Sequence, residues 1–178
     1  MLSGFLNSKM SLIGIDIFSG AGGLSYGATT AGIDVKLAVE INKYAAATFA
    51  KNHPDVAVLT EDISKISASD LLSKTGKDVF VIMGGPPCQG FSLSNTMNRN
   101  MENPKNHLFR EFVRLVKDIK PKWFVFENVY GFTKMNHGET EIMVKQCFED
   151  LGYKVNSKVL WASDYGVPQR RKRLVLIA

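Results

Sequence analysis

Strand-like and helix-like patterns take turns along this chain, and no other feature limits its fold as much. Leu12 to Phe18, Asp34 to Val39, Val56 to Thr60, Val79 to Met83 and Trp123 to Glu127 are short apolar runs rich in branched residues, which read as strands. Between them the spacing predicts helices. Leu24 to Ala31 stops at Gly32, Asn42 is placed to cap Lys43 to Asn52 ahead of Pro54, and Ser69 to Lys74 ends before Gly76. Leu108 to Ile119 carries apolar residues at 108, 109, 112, 113, 115, 116 and 119, one face of a helix. A helix over Glu139 to Leu151 precedes two more strands, Tyr153 to Trp161 and Arg173 to Ala178. This alternation predicts an α/β fold: a doubly wound, mostly parallel sheet with helices on both faces. Ligands of such sheets bind beyond the carboxyl ends of the strands.

Composition narrows the reading further. The chain has 178 residues, 45% of them hydrophobic and 22% charged, which is enough to bury one core as a single soluble domain. The longest apolar run, Val79 to Met83, is too short for a bilayer, and the N-terminus with its lone Lys9 lacks a signal-peptide pattern. An intracellular, cytoplasmic protein is the expectation. Cys88 and Cys147 form no Cys-x-x-Cys pair, and His53, His107 and His137 are scattered, so neither a disulfide framework nor a zinc site is indicated. Chemistry here is expected to be metal-free or to use a small organic cofactor. A net charge of +5 is compatible with a polyanionic partner and equally with a solvated surface.

Two segments break the economy. Gly84 to His107 has no periodic pattern and includes five asparagines, Asn95, Asn98, Asn100, Asn103 and Asn106. Loops that long inside a compact domain are usually functional or disordered. Leu174 to Ala178 looks like a core strand that ends without a cap or a polar tail. The expectation is an unpaired strand edge bearing Val175 and Ile177, covered by another polypeptide, or else a fragment of a longer chain.

Four constellations carry chemistry. Asp16-Ile17-Phe18-Ser19-Gly20-Ala21-Gly22-Gly23 runs from a strand through a glycine turn into a helix, so that backbone N–H groups and a helix N-terminus can approach a ligand. Ser25 stands where a dinucleotide fingerprint needs Gly or Ala, and the lysine of a P-loop is absent, which disfavours a pyrophosphate. Glu40 ends the next strand, where a carboxylate can accept both hydroxyls of a ribose, and Asp62 follows the third, where it can accept from an exocyclic amine. Together they suit an adenosine; a tight turn with two solvated acids is the plainer alternative.

Gly84-Gly85-Pro86-Pro87-Cys88-Gln89 follows the fourth strand and presents a thiol in a rigid turn, where nearby positive charge would make it a nucleophile. Cys147, beside Phe148 in a helical pattern, is expected to be core. Glu127-Asn128-Val129 puts an acid at the end of the fifth strand, able to serve as a general acid if burial raises its pKa. In Gln169-Arg170-Arg171-Lys172-Arg173, strand alternation would send Gln169, Arg171 and Arg173 to one face and Arg170 and Lys172 to the other. One face could then reach the site while the other meets phosphates.

In this order, the glycine turn, Pro-Pro-Cys-Gln, Glu-Asn-Val and Gln-x-Arg-x-Arg resemble the cytosine-5 DNA methyltransferases over Leu12 to Ala178. The resemblance implies a short extension over 1–11 and a catalytic, cofactor-binding domain over 12–178, of the Rossmann-like S-adenosylmethionine-dependent type, truncated before the target-recognition region. It implies S-adenosylmethionine as methyl donor and S-adenosylhomocysteine as product. Phe18 would lie against the adenine, Ser19, Gly20, Ala21, Gly22, Gly23 and Leu24 around the amino-acid part, Glu40 on the ribose and Asp62 on the adenine amine. Ile41, Ile63, Pro87 and Leu108 would complete the wall.

Cys88 would attack carbon 6 of a cytosine flipped out of DNA, with Glu127 protonating ring nitrogen 3, Arg173 holding the base oxygen and Arg171 positioning the site. The long loop would be the lid. Asn103-Pro104-Lys105 stands where the family usually has Asp-Pro-Arg, and the lid has no glycine between Phe91 and Leu108, so closure would use other anchors. A second polypeptide carrying the recognition region and the remaining motifs is the implied partner, with restriction–modification as the implied setting. The alternatives left open are a non-catalytic cofactor- or DNA-binding subunit or remnant, and methylation of transfer RNA.

Overall fold

The computed structural model describes residues 11–87 and 107–178. Five strands run parallel: β1 (Ile13–Ile17), β2 (Asp34–Val39), β3 (Ala57–Leu59), β4 (Val79–Gly84) and β5 (Trp123–Val129). Two more, β6 (Asn156–Trp161) and β7 (Lys172–Ile177), are antiparallel. Their spatial order is β3-β2-β1-β4-β5-β7-β6. The direction of winding reverses between β1 and β4, which is where ligands settle in open α/β sheets.

The helices are α1 (Gly23–Thr30), α2 (Lys43–Asn52), α3 (Ala68–Thr75), α4 (His107–Ile119) and α5 (Glu139–Glu149). Local chemistry explains their ends. Asn42 Oδ1 accepts from the N–H groups of Tyr44 and Ala45 at the start of α2, and Ser67 and Asp70 form a reciprocal capping box on α3, which stops at Gly76. The expected boundaries hold to within a residue or two for most elements. The last strands begin differently: β6 starts at Asn156 because Tyr153 turns aside to donate its hydroxyl to the Pro121 carbonyl, 2.7 Å away.

One face of the sheet carries the aromatic core. Phe124 and Phe126 of β5 meet Phe112 of α4 and Phe148 of α5, with Phe124 stacked on Phe148 at 4.1 Å and Phe112 edge-on to Phe126 at 5.4 Å. All four rings are fully buried. Cys147 sits half-buried on α5 against this core, as expected, and burial pushes its thiol pKa up. On the opposite face α1 lies over β1 and β2. Beside it runs an apolar groove of about 340 Å³, walled by Leu24 and Ala28 and floored by Val81, Met83 and Val125. Trp123 and Ile177 on its rim stay 48% and 42% exposed.

Two expectations are corrected. Leu174 to Ala178 is no free edge: β7 is hydrogen-bonded to β5 on one side and β6 on the other, and Ala178 exchanges backbone bonds with Phe124. The exposed apolar surface is on the sheet's face, at the groove. Gln169 to Arg171, in turn, forms a bend rather than a strand, so the alternation holds only from Lys172 onward. The sequence pattern also missed 3-10 turns in Tyr130–Gly138 and at Ala162–Tyr165, which are too short for a period to show.

Candidate functional site

The ends of β1, β2 and β4, the 3-10 turn Ile63–Lys65 and the start of α4 converge on a cavity of about 200 Å³. Phe18, Ile41, Ile63, Pro87 and Leu108 give it apolar walls, and Glu40 and Asp62 give it two carboxylates, with Val39, Glu61 and Gly85 between them. Phe18 has a left-handed φ of 60°, unusual for a residue with a side chain. Backbone strain of this kind gathers at ligand sites.

The glycine turn beside the cavity is tied down from three directions. Glu40 accepts the Gly20 N–H on Oε2 and the Asn42 N–H on Oε1, each at 2.8 Å, and each oxygen keeps a further lone pair for a ligand. Asn52 donates to the Ala21 carbonyl at 2.9 Å, and His53 Nε2 lies 2.9 Å from the Gly22 carbonyl. At Gly22, with φ 95°, a Cβ would collide with the His53 ring, so the turn admits only glycine there. Ser19 is buried, and Gly23 and Leu24 line the apolar groove rather than the cavity. Asp62 accepts from the Ser64 N–H and hydroxyl, and Arg114 on α4 fastens the same turn through the Ile63 and Ile66 carbonyls.

Glu127 and Arg173 meet at 2.7 Å on adjacent strands, Nε of the guanidinium against Oε1 of the carboxylate. Arg173 also donates an Nη1 proton to the Lys172 carbonyl, which leaves Nη2 with no partner among the described residues. Gly85 joins this pair to the cavity: it lines the cavity, and a Cβ on it would stand 2.7 Å from Glu127 Oε2. Asn128 is buried and clasps the neighbouring Pro-Pro segment, donating to the Pro86 carbonyl at 3.1 Å and accepting from the Val129 N–H at 2.9 Å. Arg171 is exposed, with its backbone engaged by Ala162. Cys88 and the expected lid, with Asn103-Pro104-Lys105, lie outside the described residues.

Four structurally placed residues escaped the sequence reading. Asn52, His53 and Asn128 act through backbone carbonyls, a role no spacing reveals. Asp16 is the fourth. It is fully buried beneath the turn, accepts the Ser25 hydroxyl on Oδ2 at 2.5 Å, and has no partner on Oδ1. Burial pushes its pKa up to about 7, with Glu40 adding repulsion, against the lowering by Ser25. The native state therefore holds this proton more tightly than the unfolded chain. Its stabilising share is full below about pH 4 and is lost as pH rises toward 7, a change on the order of 4 kcal/mol. Urea melts of Asp16→Asn should lack this component, so the variant should gain on wild type between pH 5 and 8. Parallel stability curves for the two proteins would contradict it.

Among the described residues no helix is long and apolar enough to cross a membrane, and no three His, Cys, Asp or Glu side chains gather as a metal site. The family model for C-5 cytosine-specific DNA methylases matches residues 12–178, and the chain belongs to that family. It is 48% identical over 178 residues to the type II methyltransferase M1.HphI of Haemophilus parahaemolyticus, covering 99% of this chain and 48% of that protein. It is 35% identical to the type II methyltransferase M.AquIA of Picosynechococcus, covering 92% of this chain and 70% of that protein. Among solved structures it resembles a DNA modification methyltransferase encoded within an E. coli prophage, with TM-score 0.78, 38% identity, and coverage of 94% of this chain and 46% of the other. The chain thus spans about half the length of M1.HphI and of the prophage protein.

Proposed function

We propose that this chain is the cofactor-binding and catalytic portion of a cytosine-5 DNA methyltransferase. The observation that carries the proposal is the junction at Gly85, where an apolar cavity with two carboxylates abuts the Glu127–Arg173 pair. The Pro86-Pro87 run held by Asn128 leads from this junction to Cys88. A slot with apolar walls and acids at Glu40 and Asp62 suits an adenine and a ribose, and so fits S-adenosylmethionine. When bound, that molecule supplies an activated methyl group.

Carbon 5 of cytosine is too weak a nucleophile to take a methyl group unaided, which explains the residue types. The Cys88 thiolate forms a bond to carbon 6, the ring's double bond moves, and nitrogen 3 takes a proton from Glu127. Carbon 5 is then an enamine carbon and can be alkylated. Loss of its proton to a base, expulsion of the Cys88 sulfur and return of the nitrogen 3 proton to Glu127 restore the ring as 5-methylcytosine. Arg173 orients the Glu127 carboxyl through Nε, and its remaining Nη2 protons suit the base oxygen. The base must leave the duplex for this geometry, at a cost of a few kcal/mol.

The proposal includes a complementary segment, on this or a second polypeptide. Two of the relatives are about twice this chain's length, and the groove beside α1 offers an apolar floor on a sheet type that carries helices on both faces. An apolar helix of the complementary half is its occupant. The test uses labelled S-adenosylmethionine with cytosine-containing DNA and RNA, and the 178-residue chain alone or coexpressed with the remaining half of a relative. Label at carbon 5 of DNA cytosine, dependent on the second half, is the expected result. Sequence-specific turnover by the chain alone would remove the need for the partner, label only in RNA would change the substrate, and no transfer with both halves would end the catalytic reading.

A further inference from the structure

One cluster near the site is absorbed by none of this. Lys172 opens β7 opposite Trp161 of β6, and Arg173 is opposite Val129, so Tyr130 follows β5 at the position facing Lys172. The ammonium of Lys172 sits between the two aromatic side chains, 4.4 Å from the centroid of each ring. Arg170 lies over the same Trp161 at 5.9 Å, and Lys134 over Tyr130 at 5.3 Å. Among the described residues none of Lys134, Arg170, Arg171 or Lys172 has a carboxylate within 4.0 Å, whereas Arg173, one residue on, is paired with Glu127. Successive strand residues point to opposite faces, so the caged lysine and the paired arginine stand back to back at one end of the sheet.

A lysine held by two rings is fixed in place while its charge stays uncompensated, and it keeps N–H donors for an anion. Resting on the reading that Glu127 and Arg173 take an extruded cytosine, we propose that Lys172, in its Tyr130–Trp161 cage and flanked by Lys134 and Arg170, grips the DNA phosphates next to that nucleotide. Backbone contacts of this kind set the register of a protein on a duplex without reading its sequence. The cage matters because it preorganises the contact: a solvated lysine would lose side-chain freedom on binding, and this one has already lost it.

The test is equilibrium binding of fluorescent duplex DNA by the 178-residue chain, across a series of salt concentrations. Lys172→Gln is expected to weaken binding about 5- to 10-fold at low salt and to reduce the slope of log K against log salt by about one, the signature of one lost phosphate contact. Lys172→Arg should restore most of the slope. Tyr130→Leu, which keeps every charge, should weaken binding with the slope nearly intact. Lys36→Gln, remote on β2, sets the baseline. A Lys172→Gln curve superimposed on that of Lys36→Gln overturns the clamp while leaving the catalytic reading in place. Wild type that transfers methyl groups to DNA once assembled with the complementary half, but binds tRNA more tightly through Lys172, overturns the assignment to DNA phosphates. Wild type that binds no DNA alone and transfers no methyl group when assembled with the complementary half overturns both.

Discussion

Cys88→Ser, assembled with the complementary half, is expected to lose methyl transfer by about 10⁴-fold or more, the scale seen when an enzyme's nucleophile is removed. A serine hydroxyl is not ionised at neutral pH and cannot add to carbon 6 as a thiolate does. The more direct measurement is covalent capture on DNA carrying 5-fluorocytosine, where fluorine replaces the proton that must leave and the adduct cannot resolve. Wild type should give a complex that survives denaturant, and the serine variant should give none. The Asn128 clasp on Pro86 holds the Pro-Pro run that precedes Cys88 in the chain. An undiminished adduct in Cys88→Ser would assign the chemistry to another residue.

Glu127→Gln should lower kcat about 10²- to 10⁴-fold, the usual worth of a positioned proton donor, and leave cofactor affinity unchanged. Glutamine keeps the size of the side chain and can still accept from Arg173 Nε, so the position of the guanidinium is kept. What disappears is the transferable proton. The split between kcat and affinity separates this role from a structural one, since a purely structural pair would change the melting curve and spare the rate. A kcat within threefold of wild type would mean that nitrogen 3 draws its proton elsewhere.

Much of the architecture was legible because its signals are local. Asn42 before Lys43–Asn52, Gly76 after Ala68–Thr75 and the apolar stripe on His107–Ile119 each act within a few residues, where periodicity and capping rules apply. The gathering of Phe18, Glu40 and Asp62 was legible for another reason, whereas Pro87 and Leu108 were expected there only through the family resemblance. In a parallel sheet each strand delivers its last residues to the same end, so residues distant in sequence meet without any local sign of it. The position of β7 was not legible. An apolar run such as Leu174–Leu176 suits an edge or an interior place equally, and only the pairing with β5 and β6 decides between them. Asp16 escaped because an acid beside a glycine turn reads as solvated; burial by the surrounding fold, working against the Ser25 hydrogen bonds, is what raises its pKa to about 7.

The position of β7 also sets an order of events during folding. β6 precedes β7 in the chain, yet its hydrogen-bonded neighbour in the sheet is β7, which must enter between it and β5. Until Lys172 to Ile177 have emerged and inserted, β5 keeps an open edge and β6 has nothing to pair with. In order of synthesis the sheet can therefore be completed only as far as β5, and its last two strands can join it only once β7 is available. A ribosome-bound chain stalled before Lys172 would hold a half-finished sheet with an adhesive rim, the state in which a growing polypeptide most needs a chaperone.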